Sequence, residues 1–160
     1  MTEINLITVI HAPIQQCFDL ARSIDIHLES TKHTDEKAIA GRTTGLCELG
    51  DEVTWRAKHF GIYQNLSSRI TKLEAPYYFQ DCMTKGAFSF MQHDHFFEEK
   101  NGTTTMKDVF AYGVPYGIFG KLFDKVILKQ YIINLLNIRN QVIKEAAEIY
   151  KTNNPKSLSL

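Results

Sequence analysis

The chain has 160 residues, and its 18 Lys and Arg are balanced by 18 Asp and Glu, so no net field draws it to nucleic acid or anionic lipid. A compact domain of this length buries roughly 70% of its unfolded-chain surface, enough for a core without disulfide or metal support. Three widely spaced cysteines, Cys17, Cys47 and Cys82, fit reduced thiols and a cytoplasmic setting.

The opening MTEINLITVIHAP has no basic segment ahead of a long apolar run and does not read as a secretory signal. Its β-branched residues up to Pro13 predict a first strand, and IQQCFDLARSIDIHLES predicts two short helices. From Lys37 to Val114, short β-rich runs are punctuated by GRTTG, LGDE, HFG, EAP, TKG and KNG, the spacing of six antiparallel strands. A final long helix is expected from near Gly120 to about Lys151, roughly 45 Å at ~1.5 Å per residue. Its first half is apolar over most of its circumference and demands cover on nearly every side.

The most apolar run, Val126 to Ile138, is interrupted by Lys129, Gln130 and Asn134 and is too short to span a bilayer, so no stable membrane association is expected. Residues 1–151 are expected to form a single domain, with a polar, disordered tail over 152–160. The order predicts an α+β helix-grip fold: a curved seven-stranded antiparallel sheet around a long C-terminal helix, with two short helices after strand 1. Sheet and helix in such a fold need not meet along their whole length, which leaves room for a cavity.

The Asn101-Gly102 pair is the strongest short signal for a two-residue type I′ hairpin. Facing residues then have numbers summing to 203, which sets His95 opposite Asp108, His93 opposite Phe110, Met91 opposite Tyr112 and Phe97 opposite Met106. Side chains alternate, so these eight share one face, while Gln92, Asp94, Glu98, Thr105 and Lys107 take the other. Upstream, Phe79 and Asp81 match the histidine face, with Asp81 expected beside Met91, and Trp55 and His59 share a face with Val53 and Ala57. The inner surface therefore combines Trp55, His59, Phe79, Met91, Phe97, Met106, Phe110 and Tyr112 with Asp81, His93, His95 and Asp108 embedded among them. A buried polar group without a partner costs about 1–3 kcal/mol, so the acids and histidines are expected to pair.

The segments GDEVTWRAKHFG, PYYFQDCMTKGAF, HDHFFE, DVFAYGVPYGIFGKL and LLNIRN together resemble a bacterial branch of the START and birch-pollen-allergen-like superfamily (SRPBCC), which includes polyketide cyclases and lipid-transport proteins. The resemblance covers roughly residues 3 to 145. It implies a helix-grip fold with an internal cavity for a small apolar or amphipathic ligand. The chain departs from the branch at Gly86-Ala87-Phe88, where Gly-Pro-Phe is common, and at Met91, where an aromatic is common.

Three readings follow. The leading one is binding of a small hydrophobic ligand, with the twelve inner-face residues as its contacts and the histidine and acid cluster orienting its polar group. The alternative is a cyclase or dehydratase type enzyme using His95 with Asp108 as a general acid/base pair. The third is an interaction module, with a possible homodimer formed on the apolar helix. His93 and His95 at i and i+2 also suggest a metal site, but the second histidine box of a cupin is missing, and neither metal nor cofactor is expected. Cys82 falls on the opposite face, so no nucleophile stands beside the histidines. His11, His27 and His33 are expected in solvent; Arg139 could face the sheet and pair with an acid, but a surface or rim contact is the expected role.

Overall fold

The computed structural model describes the backbone of residues 1–153 and the side chains of residues 1–149. The segment expected to be a tail lies mostly outside these residues. Strand β1 (Thr2–Ile10) leads into helices α1 (Ile14–Ala21) and α2 (Ile24–Ser30) and a single 3₁₀ turn. Six strands follow: β2 (Lys37–Gly41), β3 (Glu52–His59), β4 (Ile62–Glu74), β5 (Tyr78–Lys85), β6 (Phe90–Lys100) and β7 (Thr103–Gly113). Helix α3 (Gly117–Phe123) continues through a π-helical turn at Asp124–Leu128 into α4 (Lys129–Asn153).

Pro13, three residues beyond the end of β1, stands at the N-terminus of α1, where its fixed φ suits helix entry. Ser23 caps α2, its hydroxyl accepting from the Ile26 amide at 3.3 Å. The seven strands form one antiparallel sheet in the order β1-β7-β6-β5-β4-β3-β2. Consecutive strands from β2 to β7 are neighbours in the sheet, through short connections except between β2 and β3, and β1 closes against β7.

Asn101 and Gly102 both take positive φ, 53° and 70°, and the β6–β7 register runs from Lys100 opposite Thr103 to Met91 opposite Tyr112, as the turn predicts. The β5–β6 pairing differs from expectation by two residues. Asp81 lies opposite His93 and Phe79 opposite His95, because the loop over residues 86–89 closes later than the sequence suggested. The inner face is unchanged, since a shift of two keeps the side-chain alternation.

Two apolar clusters fill the space between sheet and helices. One gathers Phe18, Ile24, Trp55, Phe79, Phe97, Met106 and Ile143; the other gathers Ile4, Met91, Phe110, Tyr112, Ile132 and Leu136. On β6, β7 and α4 alike, the chain passes from one cluster to the other through polar residues: His93 and His95, Asp108, and Arg139 with Asn140.

The C-terminal helical stretch starts three residues earlier than expected, at Gly117 after a left-handed Tyr116. Gly120 is required there, because a Cβ would sit 1.8 Å from the Pro115 carbonyl oxygen. Within the single chain this first half is covered in part, with Ile118 77% and Phe119 80% exposed; a ligand or a second subunit is the further cover that the sequence allows for. Asp124 is the buried anchor of this stretch, accepting hydrogen bonds from the hydroxyls of Thr2 and Tyr112. Among the described residues, no helix is long and apolar enough to cross a membrane.

Candidate functional site

A cavity of about 620 Å³ lies between the sheet and the C-terminal helices. Trp55 and His59 of β3, Phe79 and Asp81 of β5, Met91, His93 and His95 of β6, and Phe110 of β7 line it. The opposite wall comes from α2, α3 and α4, including Ile24, Phe123, Ile132 and Leu136. The other four residues of the sequence-derived set do not reach the wall. Phe97 and Met106 are buried in the first apolar cluster, Tyr112 is fully buried with its hydroxyl committed to Asp124, and Asp108 lies behind the histidines.

Asp108 organises the polar end of the cavity. Its Oδ1 accepts from His93 Nε2 at 3.0 Å, lies 2.9 Å from His95 Nδ1, and accepts from Arg139 Nη1 at 3.5 Å. Its Oδ2 accepts from Asn140 Nδ2 at 2.7 Å. The His95 contact is close but poorly aligned for a directed hydrogen bond. On the other edge of its ring, His95 Nε2 faces Asp81 Oδ1 at 3.3 Å.

Burial alone would push the Asp108 carboxyl up, but the two histidines bound to it hold it well below the usual carboxylate range. Burial likewise opposes ionisation of Asp81, and His95 with the neighbouring positive charges overcomes this and lowers it. Burial, reinforced by His95 alongside, brings His93 down to about 4, so His93 is neutral near neutral pH. The imidazole of His95 is stacked between neighbours, with the Phe79 ring 4.1 Å and the His93 ring 3.8 Å away between centroids.

Arg139 is not at the rim as expected. It is buried, donates from Nη2 to the Ala21 carbonyl at 2.9 Å and from Nη1 to Asn140 Oδ1 at 3.1 Å, and so ties α1 and α4 to the Asp108 cluster. His27 also departs from expectation: its ring lies 4.2 Å from the Trp55 ring, in the cavity wall. His11 and His33 are exposed. A second polar station lies at the β3–β4 end, where His59 Nδ1 and the Tyr131 hydroxyl are 2.8 Å apart. Burial lowers the His59 pKa, which favours the neutral ring as Tyr131's partner.

Sequence reasoning missed Asn140 and Tyr131. The helical spacing of Ile132, Leu136, Arg139, Asn140 and Ile143 was the available signal, since it places the two polar residues on the buried stripe of α4.

Similar architecture recurs in solved structures. The protein TTHA0849 from Thermus thermophilus superposes with a TM-score of 0.71 at 16% identity, over 91% of this chain and 99% of that one. A START superfamily protein from Mycobacterium smegmatis gives 0.68 at 8% identity, over 92% and 98%. The chain has the fold of the START and birch-pollen-allergen-like superfamily. Ginseng major latex-like protein 151 from Panax ginseng shares this helix-grip arrangement, with a TM-score of 0.66 at 12% identity over 91% of this chain and 97% of that one. No protein-family model and no curated protein matches the sequence.

Proposed function

We propose that this helix-grip protein binds a small apolar or amphipathic molecule between the sheet and α4, with Asp81, His93 and His95 holding its polar end. The cavity carries the reading. Its volume of about 620 Å³ falls within the range of roughly 300–1,000 Å³ usual for small-molecule sites, and its walls are mainly apolar with a few convergent polar groups. A ligand burying about 400 Å² of apolar surface gains ~10 kcal/mol at ~25 cal/mol per Å². Association costs roughly 4–15 kcal/mol, so the apolar wall alone gives weak binding and the polar end decides affinity and orientation.

The test is organic extraction of the purified chain followed by mass spectrometry, together with titration of the extracted protein by anilinonaphthalene sulfonate. Trp55 is the single tryptophan and lies in the wall, so a molecule entering the cavity changes its fluorescence. Saturable one-to-one binding with a change in Trp55 emission supports the reading. No retained molecule and no saturable binding would defeat it.

A second reading is proton-transfer catalysis of cyclase or dehydratase type. It is favoured by the position of His95, whose ring joins buried Asp108 to Asp81 at the cavity wall, so that a carboxylate orients the base behind a surface a ligand can reach. On this reading His95→Gln abolishes turnover of a bound carbonyl compound, whereas on the binding reading it only weakens affinity.

A further inference from the structure

Neutral His95 meets a conflict that neither of its tautomers resolves. If Nδ1 carries the proton, the bare Nε2 points its lone pair at Asp81 Oδ1, 3.3 Å away. If Nε2 carries it, the bare Nδ1 lies 2.9 Å from Asp108 Oδ1. In both cases an acceptor faces a carboxylate oxygen in a buried setting, where such a contact is repulsive. A positive species between His95 Nε2 and Asp81 Oδ1, either a second proton on the ring or a bound cation, removes the conflict.

We propose that Asp81, His93 and His95 bind a divalent first-row transition-metal ion, zinc or ferrous iron, at the polar end of the cavity. One donor atom from each of the three lies within 4.8 Å of the others, and all three residues line the cavity. The i and i+2 spacing on β6 puts both imidazoles on one face, and the β5–β6 register brings Asp81 opposite His93. Two histidines and one carboxylate with an open side are a donor set that zinc and ferrous iron both accept.

The groups behind the donors fit as well. Histidines that bind a metal almost always give their other N–H to a carboxylate or carbonyl, which fixes the ring. Asp108 stands behind both rings: it is hydrogen-bonded to His93 Nε2 at 3.0 Å and lies 2.9 Å from His95 Nδ1, a contact that needs a small reorientation to become a directed bond, while Asn140 holds its second oxygen. The nitrogens left for a metal are His93 Nδ1 and His95 Nε2. Metal on Nε2 makes Nδ1–H the natural tautomer of His95 and removes both repulsive contacts. The open coordination positions face the apolar cavity, so an oxygen of an amphipathic ligand could complete the shell. Only this last step rests on the ligand-binding reading.

The test uses full-length protein extracted with solvent and stripped with EDTA. Isothermal titration with Zn(II), and Co(II) absorption as a second readout, is expected to give one metal per chain with a Kd in the micromolar range or tighter. Asp81→Asn and His95→Gln are each expected to weaken binding about 100-fold or more, and Asp108→Asn about 10- to 100-fold. Thermal melts establish that each variant folds. Asp81 faces the cavity, so Asp81→Asn remains informative if His95→Gln does not fold. Millimolar or absent binding by the wild type overturns the proposal and leaves a proton as the bridge; so does stoichiometric binding that survives Asp81→Asn. Extraction and metal titration are separate measurements, so the ligand reading and the metal site can fail independently.

Discussion

Asp108 on β7 and Arg139 on α4 meet across the sheet–helix interface at 3.5 Å, both buried, and between them they bind His93, Asn140 and the Ala21 carbonyl and lie against His95. Removing Asp108 would take the charged partner from His93, His95, Asn140 and a buried guanidinium together. Breaking a buried pair from one side costs about 3–5 kcal/mol, because the remaining charge has no counterpart. Urea unfolding of Asp108→Ala is expected to show a loss of that size. Adding Arg139→Met should restore part of it, since the uncompensated charge goes too. A loss below about 1 kcal/mol for Asp108→Ala would mean that this pair does not organise the site.

The cavity wall predicts a size effect. Met91 lies on β6 at the junction of the second apolar cluster and the cavity. Replacing it with Phe adds a rigid ring to one wall while keeping the position apolar, and similar swaps usually cost less than about 1.5 kcal/mol. The Met91→Phe protein should melt close to the wild type yet retain smaller molecules on extraction. An unchanged extraction profile would place the bound molecule away from this wall.

The β6–β7 register was legible because one Asn-Gly turn fixes every pair that follows it, and hence the meeting of His95 with Asp108. The β5–β6 register was not, because the length of the loop over residues 86–89 leaves no comparable mark, and Asp81 moved two places to face His93. Arg139 was misread for a related reason. A charge on an amphipathic helix is usually solvated, and the partner that draws it inward lies 31 residues earlier on another element. His27 meets Trp55 only after α2 folds back over β3, a contact that short-range patterning does not carry. The exposed apolar face of α3 likewise depends on how far the sheet reaches, which hydropathy along the helix does not encode.

The cysteines should report the folded state by their reactivity. Burial pushes the Cys47 thiol up to about 11, with Asp51 nearby adding to the shift, and burial also raises Cys17. Cys82 is half-buried on the outer face of the sheet. Iodoacetamide at pH 8 is therefore expected to modify Cys82 first, with Cys17 and Cys47 reacting only as the chain unfolds, read by peptide mass spectrometry. The sign of the linkage follows from the raised pKa. The contribution of Cys47 to stability is intact below the unfolded thiol value of about 8.5 and is lost as pH rises towards 11. Rapid labelling of Cys47 at pH 8 in native protein would contradict its burial.

Asp124 sets the position of α3 through the two hydroxyls that bind it. Gly120, Phe123 and Ile127 of this stretch border the cavity, Tyr116 lies exposed at its mouth, and Ile118, Phe119, Leu122 and Val126 are exposed without bordering it. Few tertiary contacts hold it, and π-helical turns such as Asp124–Leu128 commonly mark functional positions in helices. Tyr112→Phe removes one hydroxyl and leaves a buried carboxylate served, among the described residues, by the Thr2 hydroxyl, at a cost of about 1–3 kcal/mol. Tyr112 is fully buried and does not line the cavity, so the substitution leaves the wall's composition unchanged. Hydrogen exchange should accelerate at the amides of residues 117–128 in this variant, with little change on β6 and β7. Bound ligand should then dissociate faster at similar association rate. Uniform acceleration across the sheet would mean that Tyr112 supports the whole core and that α3 has no separate freedom to open.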